Sequence, residues 1–259
     1  MLKWVAEVML AGLMALGLPS AALAQNTLVQ LTTRAGVTTS YWWMPRDGAV
    51  ATVLLFSGSG GGIGLKDGVP QSGNFLIRSR DEFAKAALNV ALVGNPSDAR
   101  KLTPVFRQSQ EHLADIRATV EDIQKRSKVP VWLVGTSQGT LSAAVNSVAL
   151  GTSIAGLVLT STVTGRQFGG SVTDIALEQI LVPVLIFQHK RDACRLTPAY
   201  AAERLMGRLE RAPIKQYMEI DGGADPTGDP CEAFHYHGFF GMESQAVAQI
   251  VQWIKKPGN

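Results

Sequence analysis

One segment of this sequence brackets a serine with glycines at the spacing that nucleophilic chemistry uses: Gly135-Thr136-Ser137-Gln138-Gly139. It follows the apolar run Val131 to Val134 and precedes small residues reaching to about Leu150. A serine that attacks a carbonyl must stand clear of the sheet on a strained strand-to-helix turn, where side chains at the flanking glycines would strike the neighbouring strand and helix. Its hydroxyl is a weak nucleophile until a base takes the proton. Ser137 therefore implies a base, a group that orients the base, and N–H donors for the oxyanion that forms. A glycine-bracketed turn that only packs helix on strand shares this pattern, but the strand before and the helix after favour the nucleophile.

The chain that must position these groups has 259 residues, 46% hydrophobic and 17% charged. That is an ordinary packed protein, and it excludes disorder, collagen and coiled coil. Twenty-four Lys+Arg against 21 Asp+Glu give a formal charge of only +3, and the basic residues are scattered, so no nucleic-acid partner is expected. At the start, Lys3, the apolar run Val8 to Leu18, the break Pro19-Ser20 and the small-residue site Ala22-Leu23-Ala24 read as a cleaved secretory signal over residues 1–24. The run is too short for the ~20 residues of a membrane span, and no later stretch is long enough either. The mature domain, 25–259, is expected to be secreted or periplasmic.

In an oxidising compartment, Cys194 and Cys231 form an even pair without CxxC spacing, which predicts one disulfide and no metal site. The bridge closes 231 − 194 = 37 residues, for which chain entropy gives roughly 4 kcal/mol. Two unrelated buried thiols are the alternative.

Apolar runs alternate with helical patterns along the mature chain. Leu28 to Thr33 and Val37 to Met44 predict an antiparallel hairpin. Ala49 to Phe56 predicts a strand buried on both faces that empties into the glycine-dense loop Ser57-Gly58-Ser59-Gly60-Gly61-Gly62-Ile63-Gly64. No strict GxGxxG aligns on that loop, so a dinucleotide site is not supported. A short helix is expected near Arg80 to Leu88, a strand at Val90 to Val93, and an amphipathic helix over Arg107 to Arg126, with Leu113, Ile116, Val120 and Ile123 on one face and His112 in solvent. After Ser137, strands are expected at Ile154 to Leu159, Val184 to Gln188 and Ile214 to Ile220, with helices at Pro198 to Leu209 and Met242 to Lys255. Such alternation predicts one α/β domain: a mostly parallel sheet, helices on both faces, and little room for a lid between Leu159 and Val184.

With the serine turn and these elements in place, nearly the whole mature chain resembles the α/β-hydrolase family. The resemblance implies a nucleophile–acid–histidine order. Ser137 takes the first place; Asp192, just past the strand Val184 to Gln188, takes the second, with Asp174 in reserve; His237, followed by Gly238-Phe239-Phe240-Gly241 before the last helix, takes the third, ahead of His235. His189, three residues before Asp192, either lines the site or ends the strand. The resemblance also implies two oxyanion donors, the backbone N–H of Gln138 and that of Ser59, with Gly60 in reserve. Here Ser57-Gly58 stands where the family often has His-Gly. The Cys194–Cys231 bridge would then tie the acid-bearing turn to the histidine-bearing loop.

The implied activity is a serine hydrolase, with neither metal nor organic cofactor, that cleaves small carboxylic esters of short to medium acyl groups through an acyl-enzyme. An amidase or peptidase would use the same triad, and a non-catalytic binding protein would use the same fold. The acidic loop Asp221 to Glu232 and the pair Trp42-Trp43 are possible rim residues, although a surface turn and a buried hairpin explain them more simply.

Overall fold

The computed structural model describes residues 25–166 and 169–258, so the expected signal over residues 1–24 lies outside the described residues. The chain runs β1 (Thr27–Arg34), β2 (Val37–Met44), β3 (Ala51–Phe56), β4 (Leu65–Lys66), β5 (Val69–Pro70), α1 (Phe75–Arg78), α2 (Arg80–Lys85), β6 (Leu88–Pro96), α3 (Pro104–Arg107), α4 (Gln110–Arg126), β7 (Val131–Thr136), α5 (Gly139–Leu150), β8 (Gly156–Thr160), β9 (Val184–His189), α6 (Ala199–Arg204), β10 (Lys215–Ile220) and α7 (Glu243–Lys255). Eight strands form one sheet in the order β1-β2-β6-β3-β7-β8-β9-β10, while β4 and β5 pair separately. β1 with β2 and β2 with β6 are antiparallel, and every other pairing in the large sheet is parallel.

The central strands are apolar without alternation because both of their faces are covered. Leu54 and Phe56 of β3 join Ile116 and Val120 of α4 and Leu141 of α5 in one core. Val53 and Leu55, one residue out of phase, join Phe75, Phe83 and the α7 residues Val247, Ile250 and Trp253 in the other. All six residues of β3, β7 and β9 are buried, so the carboxyl ends of these strands form a rigid edge from which loops emerge. The segment 161–183 between β8 and β9 contains short 3₁₀ turns at Val172–Asp174 and Leu177–Gln179, leaving a minimal lid.

Two expectations need correction. Helix α4 begins at Gln110, not Arg107, because Ser109 caps it by accepting the His112 N–H (3.2 Å); Arg107 instead ends α3, whose cap is Thr103, with Pro104 in the first turn. His112 does not face solvent: it is 2% exposed. The buried stripe of α4 is wider than its apolar residues and carries His112, Asp115 and Thr119. These polar groups are tolerated because they are partnered, Asp115 by Arg34 at 2.9 Å and Thr119 by the Asp115 carbonyl at 2.8 Å. Trp42 and Trp43 are buried in the sheet and form no rim.

Candidate active site

Ser137 sits where β7 turns into α5, with φ at +51°, a left-handed conformation costly for a residue with a side chain. Its surroundings over-determine that strain. A Cβ on Gly139 would lie 2.0 Å from the Phe56 carbonyl oxygen, and one on Gly135 would lie 2.5 Å from the Gly139 oxygen. Only glycines let the helix start this close to two strands. The Ser137 N–H donates to the Thr160 carbonyl at 3.1 Å, which locks the turn to β8.

Asp192 and His237 meet at the same sheet edge. Asp192 lies just past β9, and its Oδ2 is 3.0 Å from His237 Nδ1. The side chains are 0% and 6% exposed respectively. The second carboxylate oxygen, Oδ1, accepts the Cys194 N–H at 2.9 Å. Thr197 donates its hydroxyl to Oδ2 at 2.8 Å and lies 3.1 Å from His237 Nδ1. The Cys194–Cys231 disulfide joins the turn after Asp192 to the loop before His237.

Strand β8 links this pair to the serine turn. Ser161 donates its hydroxyl to the His237 carbonyl at 2.7 Å, and its neighbour Thr160 accepts the Ser137 N–H. Arg78 adds a second hold by donating to the Gly238 carbonyl while pairing with Glu243 at 2.8 Å. Among the described residues, no hydrogen bond joins the Ser137 hydroxyl to His237 or His235. Ser137 is only partly buried.

The other histidines and the reserve acid lie outside this pair. His235 is buried with no hydrogen bond to Asp192 and no partner for its ring Nδ1 among the described residues, while its backbone carbonyl accepts the Gly238 and Phe240 N–H groups. His189 accepts the Arg191 N–H at 3.0 Å, bonds the Gly222 carbonyl at 3.2 Å and stacks on Tyr236. Burial holds its pKa below the ordinary histidine range. Asp174 pairs with Arg166 at 2.6 Å.

The glycine-dense loop after β3 packs against the serine, with a Cβ on Gly58 reaching 3.0 Å from Ser137 Cβ. Its first four carbonyls all accept hydrogen bonds. Those of Ser57 and Ser59 each accept from Arg107 Nη2 at 3.1 Å. Those of Gly58 and Gly60 accept from the Gly61 and Leu102 N–H groups at 3.0 and 2.8 Å. Among the described residues, the N–H groups of Ser59, Gly60 and Gln138 are donated to no backbone carbonyl. Unclaimed donors beside a partly exposed serine can receive a developing oxyanion.

Arg107 was not singled out by the sequence. It is 1% exposed and has no ion-pair partner among the described residues. Burial lowers its pKa to about 9, which leaves it cationic at neutral pH. Beyond the two loop carbonyls it donates to the Leu102 carbonyl at 3.2 Å and to Ser142 Oγ at 2.8 Å. Ser142 in turn lies 2.9 Å from His112 Nε2. Burial, with Arg107 and Arg34 nearby, lowers the His112 pKa to about 3, so the neutral ring can accept the Ser142 proton. Thr197 was missed as well; its position five residues after Asp192 was the available signal.

A cavity of about 390 Å³ opens over the loop, lined by Ser59, Arg195, Leu196, Asp229, Cys231 and Glu232 among others. The acidic loop of the sequence thus lines this cavity through Asp229 and Glu232.

No family model matches the sequence, and no curated protein matches it. Solved structures do. An a/b serine hydrolase without lid from Xanthomonas campestris is 14% identical, with a TM-score of 0.59 over 88% of this chain and 95% of that one. An esterase from Pyrococcus furiosus is 14% identical, with a TM-score of 0.65 over 90% and 92%. Dienelactone hydrolase from Anabaena variabilis is 15% identical, with a TM-score of 0.63 over 89% and 97%. Likeness at such identity is likeness of fold, and it agrees with the strand order and the serine turn: this chain has the α/β-hydrolase fold.

Proposed function

We propose that the protein is a serine ester hydrolase in which Ser137 is the nucleophile, His237 the general base and acid, and Asp192 the group that orients the imidazole. The observation that carries this reading is the convergence, at one sheet edge, of a strained half-buried serine and a buried histidine–carboxylate pair, both tied to the dipeptide Thr160-Ser161. The hydrolase and esterase neighbours support it.

The Ser137 oxygen attacks the ester carbonyl carbon while its proton passes to His237 Nε2. The carbonyl oxygen becomes an oxyanion and takes hydrogen bonds from the Gln138 and Ser59 N–H groups, each in place before the reaction begins. Asp192 keeps the Nδ1 proton on its own side and stabilises the imidazolium. The carbon–oxygen bond to the alcohol then breaks, and Nε2 returns the proton to the leaving oxygen. Water attacks the acyl-enzyme by the same route, His237 taking its proton and delivering it to Ser137, so that a carboxylic acid leaves. Apolar packing supplies no base, and fold likeness alone supplies no chemistry, so the side-chain geometry bears the weight.

The disulfide also supports an oxidising location, secreted or periplasmic. A fluorophosphonate probe tests the chemistry: it should label the wild type and not Ser137→Ala. Labelling that persists in Ser137→Ala, or its absence from a folded wild type, would reject the assignment.

A further inference from the structure

Two cavities of very different size lie beside the serine turn, each lined by one of the two residues that carry a candidate N–H donor: Gln138, next to Ser137 in the turn, and Ser59, next to Gly58, which packs on Ser137. The large one, about 390 Å³, contains Ser59. The small one contains Gln138, with Pro104, Leu141, Val163, Gly165 and Gly170, and has about 10 Å³ open to the centre of a water-sized group. Leu196 lines both and divides them. Its position is fixed from behind, because its carbonyl accepts the Thr164 and Gly165 N–H groups at 2.9 and 3.0 Å.

We propose that the site is selective for acetyl esters of bulky, hydroxyl-rich alcohols, with Leu196 as the partition that enforces the selection. This rests on Ser137 being the nucleophile. An oxyanion held between the Ser59 and Gln138 donors leaves the tetrahedral carbon with two further branches, one toward each cavity. The leaving oxygen must be reachable by His237, which donates its proton. The large cavity is built from the turn after Asp192 and from residues Asp229 to Ala233 of the histidine loop, so the alcohol goes there.

The acyl branch goes to the small cavity, whose walls, apart from Leu196, come from neither segment. Space of that size holds about one water-sized group, which is the methyl of an acetyl unit. Val163 and Leu141 are 3% and 0% exposed, so these walls are backed by core and yield poorly to a longer chain. The alcohol cavity falls in the size range of a small-molecule site and presents Arg195 as donor with Asp229 and Glu232 as acceptors. Hydroxyl groups satisfy both kinds of partner; a long alkyl chain satisfies neither.

The experiment measures kcat/KM on p-nitrophenyl acetate, butyrate and hexanoate, and on an acetylated glucose beside ethyl acetate. Each added methylene in a closed pocket costs about 10–200-fold, so the two methylenes from acetate to butyrate should cost at least about a hundredfold, and the acetylated sugar should exceed ethyl acetate by about tenfold. Leu196→Ala opens the partition and should raise the butyrate-to-acetate ratio at least fivefold. Val163→Ala, which enlarges the same cavity from the opposite wall, should move the ratio the same way if Leu196→Ala does not fold.

A flat or rising chain-length profile in an enzyme whose Ser137 takes the fluorophosphonate label would overturn this selectivity while leaving the hydrolase reading intact. An unchanged ratio in both folded variants would do the same. A folded wild type that takes no label and cleaves no ester would overturn both.

Discussion

The two sides of the site are held by opposite means. On the histidine side, a covalent bridge and a paired acid fix the geometry: Cys194–Cys231 joins the two loops, and Asp192 accepts from Cys194, Thr197 and His237. On the donor side, among the described residues, neither a crosslink nor an acid holds the loop. A single buried guanidinium, without a counter-ion among the described residues, holds the Ser57 and Ser59 carbonyls. An isolated buried charge is ordinarily costly, and it persists here because its donors meet three carbonyls and a hydroxyl. The contrast teaches that the imidazole is fixed by a carboxylate and a covalent bridge whereas the oxyanion loop is fixed by one buried cation, although in both cases the partner lies some forty to fifty positions away in sequence.

The comparison breaks most sharply at Asp192. Asp192→Asn keeps the shape but offers an amide where the Nδ1 proton needs a carboxylate, so kcat should fall by about 10⁴-fold with KM little changed. A fall of less than about tenfold would mean that this side does not orient a base. Arg107→Met is the matching test of the donor side. It strands two loop carbonyls and releases the peptides that carry the Ser59 and Gly60 N–H groups. Losing one oxyanion donor costs about 10²–10³ in kcat, and leaving buried acceptors unpaired costs about 2–4 kcal/mol of stability. Arg107→Lys retains charge but not the fork, and should recover stability better than turnover. If Arg107→Met retains full turnover at a temperature where it is folded, the loop does not depend on it.

The disulfide sharpens the comparison further. Replacing both cysteines by serine frees the acid turn from the histidine loop. Turnover should fall about tenfold, measured well below the melting temperature so that the folded fraction is unchanged, with the Arg107-held side unaffected. A turnover loss that merely tracks the unfolded fraction would show that the bridge supports stability and leaves the triad geometry alone.

How much of this was legible beforehand follows the same division. The serine turn and the cysteine pair are local signals with short-range physical causes, glycines where backbones touch and an even cysteine count, whereas the acid after β9 was placed only through the family resemblance. The parallel sheet followed from apolar runs without alternation. Arg107 and His112 were illegible because burial of a polar residue depends on partners brought by topology. Ser142 lies on another helix and Ser57 on another strand's loop, and nothing adjacent to Arg107 announces them. Thr103-Pro104 and Ser109 did mark two helix starts, which is why a single helix from Arg107 was the wrong reading. The small cavity beside Gln138 was equally hidden, since it needs Leu196 and Gly170 brought together across the sheet edge.

The smallest effect concerns the far end of the donor side, where His112 meets Ser142. Its folded pKa of about 3 lies below the ordinary histidine value of 6.5, so the unfolded chain binds this proton more readily than the folded one. Stability owed to neutral His112 is therefore complete above pH about 6.5 and declines as pH falls toward 3. Over that window the loss is about 4 kcal/mol, and it acts on the side without a covalent tie, because a protonated ring can no longer accept from Ser142 and repels Arg107. Melting temperatures of wild type and His112→Gln should be closest at pH 7 and diverge toward pH 4, where the wild type loses ground to the variant, since glutamine offers an acceptor at both pH values and does not titrate. Parallel pH profiles for the two proteins would place the acid sensitivity elsewhere and remove His112 from the chain of contacts that sets the oxyanion loop.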